Sequence, residues 1–354
     1  MSKKTEQFIK LLVERGMDSA LVTKPENMRY LTGFTGEGAV YLSEGENIIL
    51  TDFRYTEQAG RQAGKFKCLR VTQTDKSIPN LVRELFGERQ VLGIEMNCMT
   101  VADFRLLEHA LPGRDFGDIS GLSEGMRAIK DEREAELIAT AGRIACEAFD
   151  RLLGCIGPGM TEREVQRTLD NLMLECGSEE PAFHTIACSG INGSLPHAIP
   201  GDYRLKKGEL LTLDFGAQVE GYKSDMTRTV AIGPVSKELT RIYETVLKAQ
   251  LRALDIIKPG AVCSDVDKEA RSFIDTLYPG AFGHGLGHSV GLEIHEKPVF
   301  TPRCDTVLQP GHVMTVEPGI YIPGLGGCRI EDMVILTDSG YHNLISAPKE
   351  LIIL

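Results

Sequence analysis

The sequence predicts an α/β (α+β) protein built in two parts, and three observations lead there. At 354 residues the chain exceeds the comfortable size of a single hydrophobic core. Its first half alternates helix-periodic and strand-periodic segments over about 120 residues. Its second half runs twice through the same order of elements, two helices and then a sheet segment bearing two carboxylates.

Residues 5–16, TEQFIKLLVERG, space apolar side chains at helical intervals and stop at Gly16. A short strand, SALVT, follows, and then a loop, KPENMRYLTGFTGEG (24–38). AVYLSE and NIILTD alternate like a hairpin around Gly45. The alternation continues through YTEQAGRQ, CLRVTQ (68–73), IPNLVRELFG, VLGIEM and VADFRLLEHAL, which reads as an α/β domain with a mixed sheet over residues 1–124.

SGLSEGMRAIKDE (120–132) reads as the boundary: glycines and serines, then a charged run that opens a long helix over 131–154. Thr161–Glu164 is a capping box that starts a helix running to residue 175. Residues 183–231 are strand-like, with a tight turn at Glu220–Gly221, and helices return over 236–256 and 264–277. The stretch 281–354 is rich in strand and loop. In this second domain, 125–354, two α/β halves facing each other would put ligands from both on one central sheet, where positions are fixed tightly.

Composition is ordinary for a globular protein, 42% apolar and 25% charged, with no low-complexity tract. The formal charge of −11 argues against nucleic acid as a partner. No apolar run approaches the length of a membrane span, and MSKKTEQFIKLLVERG lacks a signal-peptide core, so the expected location is cytoplasmic. Nine irregularly spaced cysteines without a CxxC read as thiols in a reducing compartment, none assigned to metal.

The chemistry concentrates in five residues: Asp214, Asp225, His288, Glu317 and Glu331. They lie in LTLDFGA, YKSDMTRTV, FGHGLGHSVGLEIHE, TVEPGIY and GGCRIEDM, patches dense in glycine or in alternating apolar residues. Four carboxylates and one imidazole suit a pair of divalent cations, and oxygen-rich ligation favours harder ions such as Mn²⁺. Such a site makes hydroxide from water near neutral pH and polarises a carbonyl, which points to a hydrolase.

Each residue also has a plainer reading. A hairpin would bring Asp214 and Asp225 together across the ladder, about 5 Å apart at their β-carbons. They would repel unless a cation or proton intervened. Otherwise they are solvent-facing aspartates near a turn, although Leu211, Leu213, Phe215 and Val230 weigh against full exposure. Four glycines (283, 285, 287, 291) make a helical zinc motif implausible around His284 and His288, so the imidazoles come from strand and loop. Of His284, His288 and His295, one reads as a ligand and the others as substrate or proton-transfer groups, the alternative being scattered surface histidines. Glu317 interrupts an apolar stretch and is either partnered or exposed at a bend. Arg329 and Glu331 would share one side of a strand, so Arg329 either pairs with a metal-bound carboxylate or, the simpler local reading, neutralises Glu331. His197 lies in the loop-rich SGINGSLPHAIPGD, where a lone histidine is more often surface than catalytic. His109, His184, His312 and His342 are read as structural.

Together these patches resemble the metal-dependent "pita-bread" peptidases, the family of methionine aminopeptidase, aminopeptidase P and prolidase. LTLDFGA, SDMTRTVAIG, HGLGHSVGLEIHE, TVEPGIYIPG and RIEDMVILT fit its signature in order and spacing, and the match covers essentially the whole chain. NMRYLTGFTG and ILTDFRYTEQA resemble the creatinase-type domain that precedes the catalytic domain in aminopeptidase P and prolidase, which makes methionine aminopeptidase the poorer match.

The resemblance implies a ligand set. Asp214 would hold one metal through both oxygens, Asp225 and Glu331 would bridge the two, and His288 and Glu317 would complete the other shell. Glu317 would also handle the proton of a bridging water, whose hydroxide attacks the scissile carbonyl. His197 and His295 would stabilise the tetrahedral intermediate, and His284 would lie near the residue after the scissile bond. Arg329 and Thr227 would orient carboxylates, with Arg329 at the substrate pocket. Ser289, where glycine is common, and Cys188 are the departures. The implied activity is removal of the N-terminal residue from peptides with proline second, by an Xaa-Pro aminopeptidase using two divalent ions, Mn²⁺ foremost and Co²⁺ or Zn²⁺ also compatible. The compact N-terminal domain and the ending SAPKELIIL resemble small bacterial members of that type. An Xaa-Pro dipeptidase is the near alternative, a non-catalytic peptide binder and a metal-free amidine hydrolase the distant ones. By analogy the chain is expected to form a homodimer.

Overall fold

The computed structural model describes residues 3–72 and 74–354, which form two compact units, Met1–Arg127 and Ala128–Leu354. Gln73, the last residue of the strand expected over 68–73, lies outside the described residues, as do the first two of the chain.

The first unit is built on a six-stranded mixed sheet. Its strands are β1 (Ser19–Val22), β2 (Ala39–Ser43), β3 (Glu46–Thr51), β4 (Lys67–Arg70), β5 (Val91–Ile94) and β6 (Asp115–Asp118), in the spatial order β4-β3-β2-β1-β5-β6. The fully buried β1 and β2 occupy the centre, while β4 and β6, with exposed ends, form the edges. The β2–β3 hairpin turns at Gly45, whose φ of 92° is the left-handed region that glycine enters at little cost.

Among the described residues six helices accompany the sheet: α1 (Lys3–Glu14), α2 (Pro25–Thr32), α3 (Thr56–Gln62), α4 (Ile78–Phe86), α5 (Val101–Ala110) and α6 (Leu122–Arg127). Two of them correct the sequence reading. The segment expected to be a loop over 24–38 contains α2, because Pro25 sits at the first turn, where its missing N–H costs nothing, and Met28 and Leu31 bury one face. The boundary stretch contains α6, which buries Leu122, Ser123 and Arg127. β6 was also not expected. It is only four residues long, and its Gly117 admits the Met17 side chain, which an added Cβ would meet at 2.7 Å.

The second unit repeats its element order, as expected. α7 (Glu132–Leu153) and α8 (Glu162–Glu175) both start with capping boxes, Asp131 with Glu134 and Thr161 with Glu164. They lead to β7 (Ile186–Ser189), β8 (Glu209–Phe215), the short β9 (Gln218–Val219) and β10 (Tyr222–Lys223), and β11 (Met226–Ile232). The turn joining β9 and β10 has positive φ at both Glu220 and Gly221, the geometry that suits the twist of a two-residue hairpin loop. α9 (Lys237–Ile256) and α10 (Cys263–Asp275) then lead to β12 (Gly287–Ser289), β13 (Glu296–Phe300), β14 (Val313–Val316), β15 (Gly319–Ile322), β16 (Gly326–Arg329), β17 (Asp332–Leu336) and β18 (Tyr341–Asn343). Between β7 and β8 the chain is not strand but a 3₁₀ turn, Gly190–Ser194, and a long loop.

The two main sheets, β11-β8-β7 and β13-β12-β14-β17-β18, are antiparallel and covered on both faces. Alternating side chains divide between the helix layers: Leu211, Leu213, Val313 and Met333 join the core of α7 and α8, whereas Leu210, Ala231, Met314 and Val334 join that of α9 and α10. β11 meets the second half at β16 and the residues after it, where Glu331 N–H donates to Thr227 O at 3.1 Å and Thr229 Oγ1 donates to Arg329 O at 2.8 Å. No helix among the described residues is long and apolar enough to cross a membrane.

Candidate metal centre

Asp214, on β8, pairs in register with Thr227 of β11, and Asp225 immediately precedes β11. The two aspartates are therefore diagonal neighbours, not directly opposed as hairpin spacing predicts. The two-residue turn at Glu220–Gly221 sets this register: Val219 pairs with Tyr222 and Gln218 with Lys223, and the same register runs on into β8 and β11. Gly216, opposite Asp225 in this register, lets the strands approach closely, since an added Cβ there would lie 1.8 Å from Ser224 O.

His288 lies on β12 opposite Val299 of β13. Glycine is needed before it, since a Cβ at Gly287 would fall 2.1 Å from Thr315 O. A register shift between His288 and Ser289 pairs Ser289 with Glu296 and brings the His295 ring to 4.4 Å from that of His288, edge on. Glu317 follows β14, with its N–H donating to Leu286 O at 2.8 Å. Glu331 lies between β16 and β17.

These side chains converge. His197, Asp214, Asp225, His284, His288, His295, Glu317, Arg329 and Glu331 all line one cavity of about 550 Å³. Donor atoms of Asp225, His288 and Glu331 lie within 4.8 Å of one another, and His288 Nε2 is 3.3 Å from Glu317 Oε1. Asp214 Oδ1 and Glu331 Oε1 are buried without a hydrogen-bond partner. Burial, reinforced by repulsion from Asp214, holds the Asp225 carboxyl well above its ordinary range, and burial with repulsion from Asp225 does the same to Glu331. Burial alone would lower the His288 imidazole, but Glu317 and Asp225 outweigh it and push its pKa up to about 9. Crowded carboxylates with orphaned oxygens are what divalent cations neutralise, so the donor set fits metal.

Hydrogen bonding presets the imidazoles. His288 Nδ1 faces Ser289 O at 3.1 Å, and a carbonyl only accepts, so one proton belongs on Nδ1, and Nε2, directed at Asp225 and Glu317, carries the second proton that a bound cation would displace. His284 Nδ1 likewise donates to Gly285 O at 2.8 Å, leaving Nε2 to accept from the Tyr321 hydroxyl at 2.9 Å. Burial lowers the pKa of His284 and of His295, keeping both rings neutral.

Arg329 does not neutralise Glu331. Its Nη2 lies 2.6 Å from Asp214 Oδ2, because β16 ends at Arg329 and the chain breaks from strand geometry before Glu331. Thr227 Oγ1 donates to Glu331 Oε2 at 2.8 Å and accepts from Arg329 Nε at 3.1 Å.

Sequence reasoning missed Tyr321, which joins Arg329 Nη1 at 2.7 Å to His284. The available signal was alternation: residues 317, 319 and 321 fall on one side of a strand. Gly319 leaves the space that the tyrosine ring fills, as a Cβ there would meet its hydroxyl at 2.4 Å. His184, read as structural, lines the cavity with Phe183. Ser289 is the partner of a buried ammonium: Lys130 Nζ donates to its Oγ at 2.7 Å and to Glu296 Oε2 at 3.2 Å, closing the register pair beside His288.

The sequence profile of metallopeptidase family M24 matches residues 136–338, and that of the creatinase/prolidase N-terminal domain matches residues 4–129. The Xaa-Pro dipeptidase of Pyrococcus furiosus is 35% identical over 356 residues, spanning 99% of this chain and 100% of that protein. Among solved structures, an Xaa-Pro dipeptidase from Bacillus anthracis superposes with a TM-score of 0.95 at 40% identity, covering 99% of each chain. An X-Pro aminopeptidase from Thermotoga maritima does so with a TM-score of 0.91 at 35% identity, covering 99% of this chain and 100% of the other.

Proposed function

This chain belongs to metallopeptidase family M24, and on that premise we propose that it hydrolyses the Xaa-Pro bond of short peptides with two divalent ions, Mn²⁺ foremost. The observation that carries the reading is the convergence of Asp214, Asp225, His288, Glu317 and Glu331 on one cavity rimmed by His197, His284 and His295. A non-catalytic binder on this scaffold would have no reason to keep four carboxylates crowded in a buried site at such electrostatic cost.

Asp214, Asp225, His288, Glu317 and Glu331 would hold the ions. When bound, they supply Lewis acidity, polarising the scissile carbonyl and making water nucleophilic near neutral pH. The chain's own groups do the rest. Glu317, with Oε1 accepting from Thr315 Oγ1 at 3.3 Å, has its other oxygen available to take a proton from the attacking water. His197 and His295 face the cavity, one from a loop and the other just before β13, and would support an oxyanion and the departing proline nitrogen. His284, held neutral and oriented by Tyr321, presents a fixed edge to the proline side.

Between a dipeptide and a longer substrate, the names borne by the Pyrococcus and Bacillus relatives favour the dipeptide, and that of the Thermotoga structure supports the aminopeptidase. Ala-Pro and Ala-Pro-Ala, assayed after chelation and again with Mn²⁺, Co²⁺ or Zn²⁺ restored, separate the two. We expect metal-restored cleavage of Ala-Pro. Cleavage of the tripeptide as well makes the chain an aminopeptidase, and no metal-dependent turnover of either peptide sinks the proposal.

A further inference from the structure

His197 sits near the tip of an exposed loop, yet a fully buried carboxylate stands at that loop's base. Glu162 is the first residue of α8 and has no exposed surface. An acid in the first turn of a helix is common, but a buried one is rare unless its oxygens are satisfied. Here they are satisfied by one loop. Oε1 accepts from Ser189 N–H at 2.9 Å and from Asn192 Nδ2 at 3.2 Å. Oε2 accepts from the same amide at 3.1 Å and from Gly201 N–H at 3.2 Å. A single carboxylate thus gathers the outgoing strand end, the 3₁₀ turn and the returning end.

The other side of the loop base rests on β16. A Cβ at Gly327 would lie 2.1 Å from Gly193 O, and one at Gly326 would lie 2.8 Å from Gly190 O, so backbone meets backbone with no side chain between. Beyond this base exposed side chains, Leu195, His197 and Ile199, alternate with the buried Ala198 and Pro200. Near the tip, Arg329 Nη1 reaches Pro196 O only at 3.4 Å. The position of the imidazole is therefore set from the base upward.

We infer that Glu162 is a positioning residue for His197, acting through the loop of residues 189–201 and not by contact with substrate. The inference rests on the reading of His197 as a group that faces the substrate. Every partner of Glu162 in this loop is a donor, so the site requires an acceptor on both oxygens. Glu162→Gln keeps the shape but turns an N–H₂ toward a donor, loosening one end of the loop, which backbone bonds such as Arg163 N–H to Gly201 O still tether.

The test combines kinetics with a direct view of the loop. Glu162→Gln is expected to lower kcat for Ala-Pro about tenfold to a hundredfold, with metal content unchanged, since small misplacement of a catalytic group is enough. His197→Ala combined with Glu162→Gln is expected to be no slower than His197→Ala alone, within about twofold, because both changes remove one function. The His197 ring resonance, identified by its loss in His197→Ala, should shift or broaden in Glu162→Gln, and the Gly201 amide should exchange faster. Multiplicative losses in the double variant, or wild-type kcat with an unmoved His197 resonance, overturn the inference. If Glu162→Gln does not fold, Asn192→Ala provides the same comparison with a smaller loss in the same direction. If the wild type cleaves neither Ala-Pro nor Ala-Pro-Ala, the peptidase reading fails, and the His197 resonance still decides the positioning claim.

Discussion

Arg329 Nη2 lies 2.6 Å from Asp214 Oδ2, and the same guanidinium also binds Thr227 and Tyr321 through its other nitrogens. Thr227 passes the constraint on to Glu331, so one planar cation orients two candidate ligand carboxylates from different halves of the unit. A lysine is a single point charge and cannot span these three partners. Arg329→Lys is expected to weaken metal binding about tenfold to a hundredfold, as measured by titration calorimetry. Wild-type affinity in that variant would mean that the carboxylates orient themselves without it.

Asp225→Asn should act with opposite signs on the two forms of the protein. Without metal, it removes repulsion from a buried cluster and should raise the melting temperature by about 2–4 °C, a gain on the order of 1 kcal/mol. With metal, it removes a ligand, so the stabilisation that added Mn²⁺ gives the wild type should shrink and activity should fall by orders of magnitude. Calorimetric scans with and without ion, beside metal analysis, check both halves. A lower melting point in the metal-free variant would contradict the electrostatic argument.

Tyr321→Phe deletes one hydroxyl from the chain that runs from Arg329 to His284. His284 Nε2 and Arg329 Nη1 would each lose a buried partner, at a cost of about 1–3 kcal/mol. The expected result is a lower urea midpoint and about a tenfold fall in kcat/KM, with metal content close to wild type. Loss of metal instead would place Tyr321 in the ligand shell's support and not on the substrate side.

His312 should give the protein an acid-sensitive stability unrelated to catalysis. The residue is 4% exposed, its Nδ1 accepts from Gln309 N–H at 3.1 Å, and burial together with the Lys130 charge lowers its pKa to about 4. An unfolded histidine titrates near 6.5, so between those values the unfolded chain binds a proton that the native one refuses. The contribution is complete above about pH 6.5 and is lost as pH falls toward 4, up to about 3 kcal/mol in all. His312→Asn, whose Oδ1 can accept the same N–H, should flatten that part of the profile of urea midpoint against pH. An unchanged slope would show that other groups carry it.

Much of this was legible in the chain because the candidate ligands stand in unusual company. Asp214 among leucines, Glu317 inside an apolar run and His288 among glycines each break a local rule, and the structure brings all of them to one cavity. What sequence periodicity could not supply was where regular geometry stops. The diagonal offset of Asp214 and Asp225 follows from the turn at Glu220–Gly221, which was legible, whereas the partner of Arg329 depends on β16 ending there. The segment holding α2 read as a loop because proline and glycine frame it, although proline at the first turn and glycine just beyond the last are also how a helix begins and ends. Lys130 lies 159 residues from Ser289, a separation over which no local pattern carries information.

That two halves of the second unit each contribute two carboxylates has a consequence for how the protein matures. Thr227 and Glu331 meet across 104 residues of chain, so the ion-holding geometry exists only after distant segments have closed on each other. A nascent or half-folded chain offers isolated aspartates and glutamates, which grip divalent ions weakly. Metal capture by this site would therefore come last and select for finished molecules, making the cation an inspector of assembly as well as a reagent.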